Sequence, residues 1–160
     1  HVSYFAELID EWTLDADPAD ALFRLGASVV EATTNGVSVE RLARYFEYWL
    51  LRLQGVYPTT GTCSRCGKTL TNGAQMVPSA GTLECAGCKS PEHGVALSAE
   101  SLEFLQRAKT IRPGQLGDIV LSTHGVRQLA SVHRLLIKAH LDKELKSARV
   151  LRELTDSQVS

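Results

Sequence analysis

The chain has 160 residues, 44% of them hydrophobic and 22% charged, which is typical of a globular domain and excludes a disordered or fibrous chain. The formal net charge is −1, so bulk charge gives no reason to expect a nucleic-acid-binding protein. No apolar run approaches the roughly 20 residues that a membrane span needs, and no secretory h-region is present.

The charge is unevenly distributed along the chain. Residues 1–31 carry seven acidic side chains and one basic side chain, whereas residues 127–152 carry seven basic side chains and two acidic ones. The chain also begins without methionine, in a segment with a helical pattern. We therefore expect it to be the C-terminal part of a longer protein.

Two helices are predicted in the first 36 residues. Apolar residues recur at a mostly helical period over residues 2–14 and predict the first helix. Asp17 is suited to the N-cap of the second helix and Pro18 to its first position. A turn over residues 33–36 ends that helix.

The third predicted helix has the clearest amphipathic pattern in the chain. Ser38 is a plausible N-cap, and Gly55 ends the helix. The apolar stripe consists of Leu42, Phe46, Trp49, Leu50 and Leu53. We interpret the aromatic residues of this stripe as packed core residues rather than as ligand-binding residues. Four charged residues, Arg41, Arg44, Glu47 and Arg52, are expected away from the centre of the stripe.

All four cysteines occur in two C-x₂-C pairs, Cys63/Cys66 and Cys85/Cys88. A tight turn presents both thiolates of such a pair to one ion, and two turns complete a closed tetrahedral zinc site. Gly67 and Gly87 offer positive φ angles for these turns. Two disulfides or a redox-active pair are the alternatives. A catalytic zinc is disfavoured because four thiolates leave no open coordination position.

The segment between the pairs predicts a small hairpin. Residues 74–77 are apolar and are bounded by turn residues on both sides. We assign residues 58–96 to a zinc-ribbon-like insert of limited β content, and residues 1–57 and 97–160 to a helical domain. Metal binding would supply the folding energy of the insert.

Three further helices are predicted after the insert, which makes a mainly α fold of about six helices. Ser98 caps a helix that runs through Ala108, and residues 112–114 form a turn. A long amphipathic helix follows from about Thr123 through Leu141. We expect a break at residues 146–147, a last short helix around residues 150–154, and a frayed polar tail over residues 155–160.

The chain contains none of the common catalytic motifs, such as H-E-x-x-H, a phosphate-binding glycine loop or a nucleophile elbow. His124, His133 and His140 have no partner carboxylate at ligand spacing, and we interpret them as surface or cap residues. An enzyme fragment in which a Cys₄ ribbon supports a catalytic helical domain remains the alternative function.

The order of several motifs resembles the RecO family of bacterial recombination mediators. Residues 44–58 are similar to the R-x-F-E-x-x-L-L-x-x-x-G-x-x-P segment of that family, and the two cysteine pairs follow at the expected places. Residues 140–147 are similar to its closing H-L-x-x-x-L-K-S motif. Asp17-Pro18 and Leu22-Phe23 match its second helix, and the resemblance covers residues 4–152.

The resemblance implies a DNA repair and recombination function without bond-breaking chemistry, in the bacterial cytoplasm. RecO proteins join an N-terminal OB-fold, which we expect to be absent from this chain, to a helical domain with a zinc-finger insert. They anneal single strands and, with RecR, help load RecA onto strands coated by single-stranded-DNA-binding protein (SSB). One structural zinc per chain, held by Cys63, Cys66, Cys85 and Cys88, is implied as scaffolding.

The resemblance also implies two interaction surfaces. The helical domain of the family receives the acidic, Phe-terminated tail of SSB, and we expect Arg41 and Arg44 to line that site. These arginines could instead form a solvated face. A basic C-terminal segment is expected to assist binding of single-stranded DNA, through Lys138, Lys143, Lys146, Arg149 and Arg152. Binding should be weak, because no aromatic residue follows Phe104 to stack on bases. Compensation of helix dipoles is the alternative role for these charges.

Overall fold

Helices make up most of the chain in the computed structural model, which describes residues 19–77, 79–88 and 94–159. The helices are α1 (Ala19–Thr34), α2 (Val39–Leu53), α3 (Ala99–Ala108), a 3₁₀ helix (Pro113–Asp118) and α4 (Thr123–Val159). The strands are β1 (Ala74–Val77), β2 (Thr82–Glu84) and β3 (Val95–Leu97). The predicted mainly α fold with a small β insert is confirmed. The helix predicted over residues 2–14 lies outside the described residues.

Local sequence explains where these helices begin and end. Gly55 follows α2 with a φ of 70° and donates its N–H to the carbonyl of Arg52 at 3.0 Å, which ends the helix as expected. At the start of α3, the Ser98 hydroxyl accepts the N–H of Ser101 at 3.3 Å, which confirms the predicted cap. The Ser38 side chain precedes α2 but makes no capping hydrogen bond.

Helix α2 lies at the centre of the helical body and packs against α1, α3 and α4. Its Leu42, Phe46 and Leu50 are fully buried, as the apolar stripe predicts. Trp49 is partly buried, and its indole N–H donates to the carbonyl of Ala108 at 3.0 Å. Phe46 is therefore a core residue, as interpreted, whereas Trp49 keeps part of its ring at the surface.

The three strands form an antiparallel sheet in the order β2-β1-β3. Met76 of β1 pairs with Leu83 of β2, which confirms the predicted hairpin. Strand β3 was not predicted, because three residues are too few to show an alternating pattern. The buried side chains of Met76, Leu83 and Leu97 belong to the same hydrophobic cluster as the helical core.

The C-terminal region differs from the prediction in two respects. Helix α4 continues without interruption to Val159, so the break expected at residues 146–147 and the frayed tail expected over residues 155–160 are wrong within the described residues. No glycine or proline follows Gly125, and lysine and serine do not by themselves end a helix. The turn predicted over residues 112–114 is the start of the 3₁₀ helix.

Among the described residues, no helix is both long and apolar enough to cross a membrane, including the 37-residue α4.

Candidate metal centre

The four cysteine side chains converge at one point beside the sheet. Their Sγ atoms all lie within 4.8 Å of one another, and those of Cys66 and Cys85 are 3.6 Å apart. Zn–S bonds of about 2.3 Å in a tetrahedron place the sulfurs roughly 3.8 Å apart. The cluster has the donor set and the spacing of a Cys₄ metal site, so these residues can hold a metal ion.

Backbone hydrogen bonds shape both cysteine turns. In the first turn, Gly67 has a φ of 74°, as predicted, and donates its N–H to the carbonyl of Cys63 at 3.0 Å. In the second turn, the N–H of Cys88 reaches the carbonyl of Cys85 at 3.1 Å. Gly87 does not have the positive φ that we expected, so this second turn closes without a left-handed residue.

Hydrogen bonds within the cluster separate the pKa values of its thiols. The backbone N–H groups of Cys66 and Cys85 lower the pKa of Cys63 to about 6. A hydrogen bond from Cys66 lowers the pKa of Cys85, whereas hydrogen bonds to the Cys66 and Cys85 sulfurs raise that of Cys88 to about 12. A thiolate is therefore stabilised at Cys63, and a divalent cation would take the place of the shared protons.

A second polar cluster lies inside the helical body, where it links α2, α4 and the loop that leads to the metal centre. The His133 side chain is 0% exposed; its Nδ1 lies 2.9 Å from Glu47 Oε2, and its Nε2 lies 2.8 Å from the Tyr57 hydroxyl. Arg44 Nη2 donates to Glu47 Oε1 at 2.7 Å. We refer to Arg44, Glu47, Tyr57 and His133 as the buried network.

The buried network corrects two sequence-based interpretations. His133 is a core residue rather than a surface or cap residue, and Glu47 is buried rather than displaced from the apolar stripe. The sequence did indicate that Glu47 faces the core, because it lies four residues after Ala43 and three before Leu50, and both of these are buried. Burial of such a carboxylate is tolerated because Arg44 and His133 bind it.

The two arginines predicted to contact a partner protein have internal hydrogen bonds in the structure. Arg41 donates to the carbonyls of Leu116 at 3.4 Å, Ile119 at 2.8 Å and Leu121 at 3.1 Å. It thereby fixes the segment between the 3₁₀ helix and α4 to the start of α2. Arg44 belongs to the buried network, and 16% of its side chain is exposed.

A shallow groove of about 330 Å³ lies between α1 and α2. It is lined by Ala21, Arg24, Leu25, Ser28, Trp49 and Leu53. The Arg52 guanidinium lies 5.0 Å from the centroid of the Trp49 ring, so a second cation stands beside the groove. The groove thus combines an apolar floor with two arginines, a combination that the sequence analysis did not identify.

The five basic residues predicted to contact DNA are exposed along α4 but do not share one face. At about 100° per residue, Lys138, Arg149 and Arg152 fall on one side, whereas Lys143 and Lys146 fall on another. The exposed Arg127 and Arg134 lie on the same side as Lys138. We define the basic stripe as Arg127, Arg134, Lys138, Arg149 and Arg152.

Comparison with known proteins gives consistent matches over nearly the whole chain. The family model described as "Recombination protein O C terminal" matches residues 1–149. The "DNA repair protein RecO" of Geobacter sulfurreducens is 32% identical over 156 residues, which cover 97% of this chain and 63% of that protein. The proteins of the same name from Geobacter metallireducens and Syntrophus aciditrophicus are each 29% identical and are covered over 61% of their length. The chain therefore spans somewhat less than two thirds of these relatives.

Proposed function

Because the chain belongs to the RecO family, we propose that it is the C-terminal interaction module of a DNA repair and recombination mediator. The observation that carries this proposal is the match of the family's C-terminal model to residues 1–149. In this proposal the whole protein assists single-strand annealing and, with RecR and SSB, the loading of RecA in the bacterial cytoplasm. The part of the relatives that this chain does not cover is expected to supply the OB-fold.

The metal centre serves this module as a scaffold. We assign one zinc ion per chain to Cys63, Cys66, Cys85 and Cys88, because four closely spaced thiolates suit zinc and leave no position for a substrate. When bound, the ion supplies no reaction step; it joins the two cysteine turns. Metal analysis of protein prepared without chelator should give one zinc per chain, and its absence would reject this assignment.

For the SSB tail we propose the groove between α1 and α2. An acidic peptide that ends in phenylalanine needs an apolar floor and nearby cations, and Leu25, Trp49 and Leu53 supply the floor. Arg24 lines the groove and Arg52 lies over Trp49. Arg41 and Arg44, which do not line this groove, remain a sequence-based prediction for contacts with the tail.

Titration of a fluorescent tail peptide compares these two surfaces. Arg24→Glu combined with Arg52→Glu should weaken binding at least about tenfold, and added salt should weaken the wild-type complex. A peptide that lacks the terminal phenylalanine is the matched control for the apolar floor. Unchanged affinity in the Arg24/Arg52 variant would reject the groove, and selective loss in an Arg44→Ala variant that keeps its fold would favour Arg41 and Arg44 as the contacts.

For single-stranded DNA we propose weak, sequence-independent contacts along α4. The predicted residues Lys138, Lys143, Lys146, Arg149 and Arg152 are all exposed, and three of them belong to the basic stripe. Contacts to phosphates alone make affinity fall steeply with salt. Titration of fluorescent single-stranded DNA should therefore show binding at low salt that is lost at moderate salt. Tight binding that survives moderate salt would overturn the assisting role.

The alternative function, an enzyme fragment, has no specific observation in its favour among the described residues. The His133–Glu47 pair combines groups used in acid–base catalysis. However, the His133 ring is 0% exposed, and both of its nitrogens are hydrogen-bonded within the core. A substrate would have no access to this pair, so we propose a non-enzymatic module.

A further inference from the structure

The C-terminal half of α4 exposes the side of the helix that is buried in its N-terminal half. Val132, His133 and Leu136 face the core. Five turns later, which is roughly 18 residues at 3.6 per turn, the same side carries Val150, Leu151 and Leu154. These three side chains are 53%, 64% and 58% exposed. The core-facing apolar stripe thus continues beyond the body that covers it, and we call these three residues the α4 patch.

The segment that carries the α4 patch extends away from the helical body. Residues 142–159 correspond to about 27 Å of helix at 1.5 Å per residue. The side chains of residues 146–158 are all exposed. A helix of this length is only marginally stable in water by itself, since most helical stability comes from packing of an apolar face. A packing partner for the α4 patch would therefore stabilise the helix as well.

Charges beside the α4 patch change sign along the helix. Lys146 and Glu153 are seven residues apart, about two turns, so they lie along the same edge of the patch. Arg149, which pairs with Glu153 of the same helix at 3.3 Å, and Asp156 lie on the side of Lys138, away from the patch. On the edge of the patch, a basic residue therefore precedes its centre and an acidic residue follows it. Two parallel copies would place like charges together, whereas two antiparallel copies would place opposite charges together.

We propose that two copies of this chain associate through antiparallel pairing of their α4 helices. The α4 patches meet at the centre, and Lys146 of each copy faces Glu153 of the other. The three patch residues expose on the order of 300 Å² per copy, against about 800 Å² per partner in a standard stable interface. The dimer is therefore weak, with a dissociation constant in the micromolar range or above. This inference does not depend on the proposed function.

Charge reversal tests the orientation of the pair. Sedimentation velocity of the 160-residue chain over a wide concentration range should show a monomer–dimer equilibrium. Lys146→Glu and Glu153→Lys should each raise the dissociation constant at least about tenfold, because each places like charges together. The double variant Lys146→Glu/Glu153→Lys should have a dissociation constant within about threefold of the wild-type value. Lys138→Glu makes the same charge change on the opposite side of the helix and should leave it within about threefold.

Cross-linking identifies the contacting residues directly. A zero-length carbodiimide reagent should join Lys146 to Glu153 and yield a covalent dimer that mass spectrometry can map. Within one helix these residues are about 10 Å apart along the axis, too far for a zero-length bond, so this product requires two copies. A chain that stays monomeric at every concentration overturns the proposal. A double variant that dimerises as weakly as the two single variants also overturns it. The same holds if the α4 patch is cross-linked only to another segment of the same chain or to a different protein.

Discussion

Removal of the Glu47 carboxylate should destabilise the helical body strongly. Glu47→Ala leaves Arg44 and the fully buried His133 without the acceptor that both now contact. Loss of one member of a buried ion pair costs about 3–5 kcal/mol, and we expect the lower end because the Arg44 side chain is partly exposed. In a chain of this length, 3 kcal/mol corresponds to a decrease in Tm of roughly 6–12 °C.

Urea and thermal unfolding, followed by circular dichroism at 222 nm, measure this effect. Glu47→Gln keeps an acceptor oxygen but removes the charge, so it should cost less than Glu47→Ala, about 1–3 kcal/mol. Glu103→Ala removes an exposed carboxylate on α3 and is the matched control, with a change within about 0.5 kcal/mol. A Glu47→Ala variant within 1 kcal/mol of wild type would refute the stabilising role of the buried network.

Three further predictions concern single side chains. Burial raises the pKa of Tyr57 well above 10.0, so its neutral hydroxyl stabilises the folded state fully below pH 10, and this stabilisation is lost as pH rises. Tyr57→Phe should therefore flatten the decline in unfolding free energy between pH 10 and 11. Cys66→Ser alters an exposed ligand and should abolish stoichiometric zinc, lower Tm and leave most helical dichroism intact at 20 °C. Arg41→Lys should lower the unfolding free energy by about 1–3 kcal/mol, measured in urea, because an ammonium cannot span three carbonyls.

Local sequence patterns were sufficient for the elements that depend on local interactions. The stripe on α2, the serine cap of α3 and the glycine that ends α2 are determined by residues a few positions apart. The cysteine pairs are similar, because each turn is built within four residues. The fold class and the grouping of the four thiols could therefore be predicted from the sequence.

Contacts between distant residues account for most of what could not be predicted. Glu47 and His133 are 86 residues apart, and Arg41 and Leu121 are 80 apart. Nothing in the neighbourhood of either arginine or of His133 shows that its polar group will meet a partner inside the fold. A charged residue on an amphipathic helix is ordinarily solvated, so burial of Glu47 depends on the tertiary structure.

The mistaken break in α4 shows a different limit. Its prediction rested on the polar pair Lys146-Ser147, which follows the last residue of α4 that packs on the body, Leu141. Polarity reports burial, whereas helix continuity depends on backbone propensity and on the absence of glycine and proline. A helix that extends beyond its domain therefore stays continuous although its side chains are no longer buried. This is why the α4 patch became apparent only in the structure.

The metal centre and the helical body share packing across the boundaries predicted at residues 57 and 97. Gln106 of α3 donates to the carbonyls of Thr60 and Leu70 at 3.2 and 3.5 Å, and β3 packs against α4. Met76 lies in the common core. Because these contacts tie the insert to α3 and α4, free energy gained on metal binding also stabilises the helical body. Metal removal should therefore lower the Tm of the helices without abolishing their fold, since most of the buried core residues lie on the helices.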